Sequence, residues 1–214
     1  MAKAADKAYL LVREKILNGL YAPSFRLTEQ EIATSSGVSR TPVREALNRL
    51  QNEGFIQVSS NRSAIVLELT PDSANEIFEL RALLEPYGSK RAATRASPDD
   101  IDRLRSLAEA QYKECKLRRS GYSARVGNLN SQFHYAIHEL ADSKRLSALM
   151  PVLIEAPLML RTFSKYDPTE LLRSAAHHFE IVAALEAKDG DWAASIMKSH
   201  IHAAQHSIQR ELAS

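Results

Sequence analysis

At 214 residues, with 44% hydrophobic and 25% charged side chains, the chain has the composition of an ordinary soluble globular protein and the length of one large domain or two small ones. A single cysteine, Cys115, excludes an internal disulfide framework and a Cys-cluster zinc site, which suits a reducing compartment. The formal net charge is only +2, and the whole excess falls in residues 1–69, which hold nine Lys/Arg against seven Asp/Glu while the remainder holds nineteen of each.

The N-terminal run MAKAADKAYLLVREKI lacks the continuous apolar core of a signal peptide and has the pattern of an amphipathic helix. Residues 5–18 place Ala8, Leu11, Val12, Lys15 and Ile16 near one face, and Gly19 ends the run. Thr28 followed by Glu31 is a capping box, predicting a short helix with Ile32 and Ala33 inward and a stop at Gly37. Ser39 stands where it would cap the next helix, whose first turn tolerates Pro42. That helix keeps Val43, Ala46, Leu47 and Leu50 on one side and ends near Gly54. Two β-rich segments follow, residues 55–58 and 64–68, around a polar tip. The order helix–helix–helix–hairpin is that of a helix-turn-helix with a β-wing.

From residue 70 the pattern is helical throughout. Thr70-Pro71, Ser97-Pro98 and Asp167-Pro168 each pair a cap with a proline at the first helical position, and Asp189-Gly190-Asp191 is a turn and cap before the last helix. The breaks predict about six helices, and short loops between helices of this length favour an antiparallel bundle. Residues 149–160 are the most apolar stretch, but Pro151, Glu155 and Pro157 interrupt it and it is too short to span a membrane, so a cytoplasmic location is expected. The predicted fold class is mainly α. Residues 1–69 form a winged helix-turn-helix DNA-binding domain, and residues 70–214 form an antiparallel all-helical bundle for effector binding and dimerisation.

The run Gly37-Val38-Ser39-Arg40-Thr41-Pro42-Val43-Arg44-Glu45-Ala46-Leu47 carries the first candidate site. A recognition helix sets its N-terminal residues against base edges. Arg40 and Arg44, four apart, project from one face opposite the Val43/Leu47/Leu50 stripe, and arginine suits bidentate contact with guanine. Ser39 and Thr41 have two readings, donors to phosphate or caps. From charge pattern alone, two solvated arginines, with Arg44 paired to a neighbouring acid, are as good a reading as a DNA contact; the adjoining helix-turn-helix and polar wing favour DNA.

The run GVSRTPVREALNRLQNEGFI resembles the GntR family of winged-helix transcription factors. Ile16-Leu17-Asn18-Gly19 and Leu27-Thr28-Glu29 resemble its lead-in, and Glu79-Leu80-Arg81-Ala82-Leu83-Leu84-Glu85-Pro86 resembles the opening of the FCD-type sensor domain in the FadR-like branch. The resemblance implies a homodimeric regulator on pseudo-palindromic double-stranded operator DNA, controlled by a small effector. It also implies DNA contacts from Ser39, Arg40, Thr41 and Arg44, with wing residues Asn61 and Arg62 reaching the minor groove or backbone. Ser63 stands where a wing glycine is common, a departure that predicts a different path for the tip.

All seven histidines lie beyond residue 130. Helical spacing points His178 and His200 inward and His202 and His206 outward. His134 borders the Leu129/Phe133/Ile137 stripe, His138 is on the margin, and His177 fits either side. Three inward histidines on three helices suit one divalent ion, zinc, nickel, manganese or iron; hydrogen-bonded core histidines fit the residues about as well. The resemblance decides between them. It implies metal ligands from Asn130 and His134 (Asn130-Ser131-Gln132-Phe133-His134), His178 (His178-Phe179-Glu180-Ile181) and His200. Asn130 stands where aspartate is commoner and brings no charge, which predicts lower affinity and partial occupancy. Open metal positions would face a small organic-acid effector, with Arg81 as the pocket arginine and Arg161 as a second candidate.

A rival reading is a histidine-liganded metalloenzyme with a nucleic-acid-binding appendage. It needs a general base, and Glu180, the only nearby acid by sequence, is turned away by its spacing. No HExxH, nucleophile elbow or phosphate loop appears, so no enzyme activity is expected. An architectural DNA binder without an effector would have no use for inward histidines.

Overall fold

The computed structural model describes residues 2–17, 19–59, 63–68, 70–153 and 166–212. These fall into two compact units, one within residues 1–69 and one beginning at Thr70.

In the first unit, α1 (Ala2–Leu17) buries Ala8 and Val12 completely and packs on α3 (Arg40–Asn52). Arg49 of α3 lies 3.7 Å from the centre of the Tyr9 ring and bonds Asp6 and Glu53, while the Tyr9 hydroxyl donates to Glu53 at 2.6 Å. Together, burial and this carboxylate push the Tyr9 phenol up to about 12. The helix α2 (Glu29–Ser36) starts as the spacing predicts. Thr28 accepts from the Glu31 amide, the Glu31 carboxylate accepts from the Thr28 amide, and Gly37 closes the helix at φ 65°, a left-handed conformation open to glycine. Along α3, Pro42, Val43, Ala46, Leu47 and Leu50 are buried, so the apolar stripe is the one the sequence marks.

The wing differs from a simple hairpin. It is a three-stranded antiparallel sheet in the order β1 (Arg26–Thr28), β3 (Ser63–Val66), β2 (Ile56–Val58). Leu27 pairs with Ala64 and Val58 pairs with the same residue from the other side. Ser63 is a buried strand residue opposite Thr28. Asn61 and Arg62 lie outside the described residues.

The second unit holds α4 (Pro71–Ala93), α5 (Pro98–Leu117), α6 (Tyr122–Leu140), α7 (Lys144–Leu153), α8 (Pro168–Glu186) and α9 (Gly190–Leu212), with no strand among its described residues. Thr70, Ser97 and Asp167 cap α4, α5 and α8 through their side chains, each followed by its proline. Asp189 accepts from the amides of Asp191 and Trp192 at the start of α9. The helix α4 packs on α9 and α6, and α5 packs on α6 and α8, around Phe78, Leu104, Phe133, Ile137, Ile181 and Met197. No described helix is long and apolar enough to cross a membrane.

Candidate DNA-reading helix and buried histidine centre

Because the Val43/Leu47/Leu50 stripe anchors α3, the opposite face must be open, and Ser39, Arg40, Thr41 and Arg44 are all exposed there. Ser39 occupies the cap position in extended conformation, yet its hydroxyl makes no cap bond. Both arginines reach back to α2. Arg40 Nη2 donates to Gln30 Oε1 at 2.7 Å, and Arg44 Nε donates to Glu29 Oε1 at 2.8 Å. That carboxylate raises the Arg44 guanidinium above its ordinary value. Arg44 is thus both exposed and paired with an acid, as one of the two sequence readings has it. Glu29 is largely buried but the Arg44 side chain is half exposed, and water on the guanidinium side screens the pair, so it holds the guanidinium on the open face without locking it there.

The second centre lies among buried helices. His134 of α6, His178 of α8 and His200 of α9 are at most 5% exposed. Their nearest ring nitrogens all lie within 4.8 Å of one another, with His134 Nε2 and His200 Nε2 3.2 Å apart. Imidazole nitrogens bound to one divalent ion at about 2.0–2.1 Å would stand about 3.0–3.4 Å apart, so that pair already has ligand spacing. Phe133 stacks on His178 with ring centres 4.0 Å apart and fixes its plane.

Burial lowers the proton affinity of all three rings, most strongly for His178 and His200, where neighbouring histidines add to it. Neutral imidazole is the form that binds metal. Asn130, one turn before His134, is 1% exposed and its Oδ1 has no hydrogen-bond partner. Both nitrogens of His178 and Nδ1 of His200 also lack partners. A buried polar atom left unpaired costs about 1–3 kcal/mol, and several in one place fit a site that a cation completes. The residues present therefore suit a divalent metal held by Asn130, His134, His178 and His200.

Glu85 of α4 was not among the residues marked by sequence. It is fully buried, accepts from Arg81 Nε at 2.6 Å, and bonds His134 Nδ1. His138 Nε2 stands 3.5 Å from the same carboxylate and is buried, not marginal. Burial would push the Glu85 carboxyl up, but Arg81, His134 and His138 hold it well below the usual carboxylate range. An ionised Glu85 keeps the His134 proton on Nδ1 and leaves Nε2 free to bind metal.

Two expectations change accordingly. Glu180 is exposed, as its spacing implies, but it is not the only acid to consider, because Glu85 reaches the trio from another helix. Arg81, the expected effector anchor, is 1% exposed and paired with Glu85, and so is no surface ion pair. His177 is half-buried with its ring 5.8 Å from His200, and His202 and His206 are exposed. Arg161 lies outside the described residues.

Residues 4–66 match the bacterial regulatory proteins of the gntR family, and residues 76–203 match the FCD domain. The chain is a GntR-family regulator with an FCD domain. It is similar to the Nta operon transcriptional regulator of Aminobacter aminovorans, 28% identical over 181 residues that cover 85% of this chain and 83% of that protein. It is also similar to the HTH-type transcriptional repressor RspR of Escherichia coli (strain K12), 25% identical over 96% of this chain and 89% of that one. The fold is shared with E. coli McbR/YncC, whose solved structure superposes with a TM-score of 0.77 at 23% identity over 100% of both chains. The protein is a DNA-binding transcription regulator, as the names of these relatives describe them.

Proposed function

We propose that this GntR-family regulator reads a pseudo-palindromic operator as a cytoplasmic homodimer and releases or tightens its grip when a small organic acid binds beside a metal in the helical unit. Residues 1–69 supply the reading head, with Ser39, Arg40, Thr41 and Arg44 at the base edges and phosphates and Asn61 and Arg62 in the wing. Residues 70–214 supply the sensor and the dimer contact. The observation that carries the sensor reading is the convergence of three buried, neutral histidines whose ring nitrogens lie within 4.8 Å of one another, with the unpaired oxygen of Asn130 one turn before His134 on α6. When bound, a divalent ion would give this apolar interior a positive charge with coordination positions that a carboxylate can fill. Arg81 supports the same reading as a second cation nearby, and Arg161 is proposed to join it.

Calorimetric titration of the metal-stripped full chain with zinc tests the sensor. One ion per chain is expected, followed by thermal stabilisation on addition of organic acids and a change in operator affinity. Absence of any zinc binding would reduce the trio to core histidines and overturn the metal-centred reading.

A further inference from the structure

Not every unpaired polar group in the helical unit is accounted for by a metal. Gln111 of α5 is 0% exposed, and neither Nε2 nor Oε1 has a hydrogen-bond partner among the described residues. It sits in the buried stripe Leu104, Ala108, Gln111, Cys115, the face that α5 turns toward α6 and α8.

Side-chain pairs along the helices place it in the bundle. Arg105 meets Glu186 at 3.0 Å, and seven residues on, the Tyr112 ring meets that of Phe179, seven residues back, at 5.9 Å. The helices α5 and α8 are therefore antiparallel, with Gln111 level with residue 180, roughly 3 Å along the axis from the level of His178. On the other side, Arg103 pairs with Glu139 and Glu114 pairs with Arg125, which puts Gln111 level with the turn that carries Asn130. Gln111 thus belongs to the same buried layer as the proposed metal ligands, without being needed as one of them. Ser174 Oγ, one turn before His178 on α8, is likewise buried and unpartnered.

A carboxamide offers one acceptor and two donors. A methyl or methylene satisfies neither end, whereas one hydroxyl donates to Oε1 and accepts from Nε2. We propose that Gln111 reads a hydroxyl on the effector, so that the ligand class is a hydroxycarboxylic acid. The inference rests on the carboxylate-sensor reading above. The carboxylate addresses the metal and the hydroxyl addresses Gln111, with Ser174 as a second polar neighbour.

The test is calorimetry on the zinc-loaded full chain with matched pairs: lactate and propionate, malate and succinate, gluconate and hexanoate. For a pair that binds, the wild type should prefer the hydroxy acid by about tenfold or more, since a site built to pair a hydroxyl rejects the analogue lacking it. Gln111→Met, which keeps the length and removes both polar ends, should bind the two members about equally. A preference that survives in Gln111→Met, or a wild type indifferent to the hydroxyl, overturns the role of Gln111 and leaves the carboxylate sensor standing. No response to any acid overturns the carboxylate sensor itself, and this inference with it. A second measurement needs no ligand. If Gln111 is unpaired until effector arrives, Gln111→Met should raise the Tm of the ligand-free chain by about 2–4 °C. A fall in Tm would mark Gln111 as a structural group and overturn the proposal.

Discussion

Asn130 brings a neutral oxygen to a place where a carboxylate would bring a charge. Its Oδ1 is buried and unpaired, so replacing it by aspartate has opposite consequences with and without metal. With metal, Asn130→Asp adds a Coulombic attraction, and each ~1.4 kcal/mol of it tightens zinc tenfold. Without metal, the same carboxylate is a buried charge at a position where the native oxygen has no hydrogen-bond donor, and it should lower the Tm. His178→Ala removes a ring that no hydrogen bond holds in place and should abolish zinc binding, while exposed His202→Ala should leave it unchanged. Zinc titrations and melts of the three variants check this. Equal zinc affinity in wild type and His178→Ala would reduce the trio to core histidines. Glu85 was not legible in the sequence for a physical reason: a glutamate four residues after an arginine reads as a surface ion pair. Only the packing of α4 on α6 takes that pair out of water and puts it on His134.

At the level of elements, what could be read along the chain was what is local. The Thr28, Thr70, Ser97 and Asp167 caps, the Gly37 stop and the α3 stripe depend on neighbours within one turn, and all are found where the residues imply them. The strand β1 was missed because three residues with one buried side chain, Leu27, carry no readable alternation. It exists because β3 offers it a partner some forty residues away. The same holds for the recognition helix. Spacing shows that Arg40 and Arg44 share a face, but only the fold shows Gln30 and Glu29 of α2 bracing them. With both guanidiniums on the open face, Arg40→Ala or Arg44→Ala should weaken operator binding roughly 5- to 150-fold. The wild-type affinity should also fall steeply with salt as counterions are released. A double alanine variant that binds operator like wild type in a gel-shift titration would rule out α3 as the reading element.

For the whole molecule, a buried layer of neutral histidines makes the fold acid-sensitive. His134, His178 and His200 have folded-state proton affinities below that of a free imidazole, near 6.5. As pH falls below that value the unfolded chain takes up protons that the folded layer refuses, and stability is lost at a slope approaching about 1.4 kcal/mol per pH unit for each ring that stays neutral. Glu85, held low by Arg81 and the histidines, adds a second loss of the same sign below the ordinary carboxyl range near 4.5. Melts in EDTA should therefore show a lower Tm at pH 5.5 than at pH 7.5, and a flat profile would mean that the layer admits protons. Assembly is governed by surface instead. Along α4, Leu80, Leu83 and Tyr87 are 38%, 68% and 50% exposed, at a spacing that lines them along one side of the helix. An apolar stripe of this kind suits the two-fold contact between helical units that the proposed homodimer needs to present two reading heads about one DNA turn apart. A C2 contact uses the same residue twice, so Leu83→Glu sets two like charges into one apolar interface. The wild type should be a dimer by light scattering at micromolar concentration, and Leu83→Glu should shift it toward monomer with its helical content unchanged by circular dichroism. Operator affinity should fall with it, because each half-site would then be held separately and the gain from linking them is lost. A wild type that is monomeric both free and on DNA would rule out the dimer, and a Leu83→Glu chain that stays dimeric would move the contact to another face.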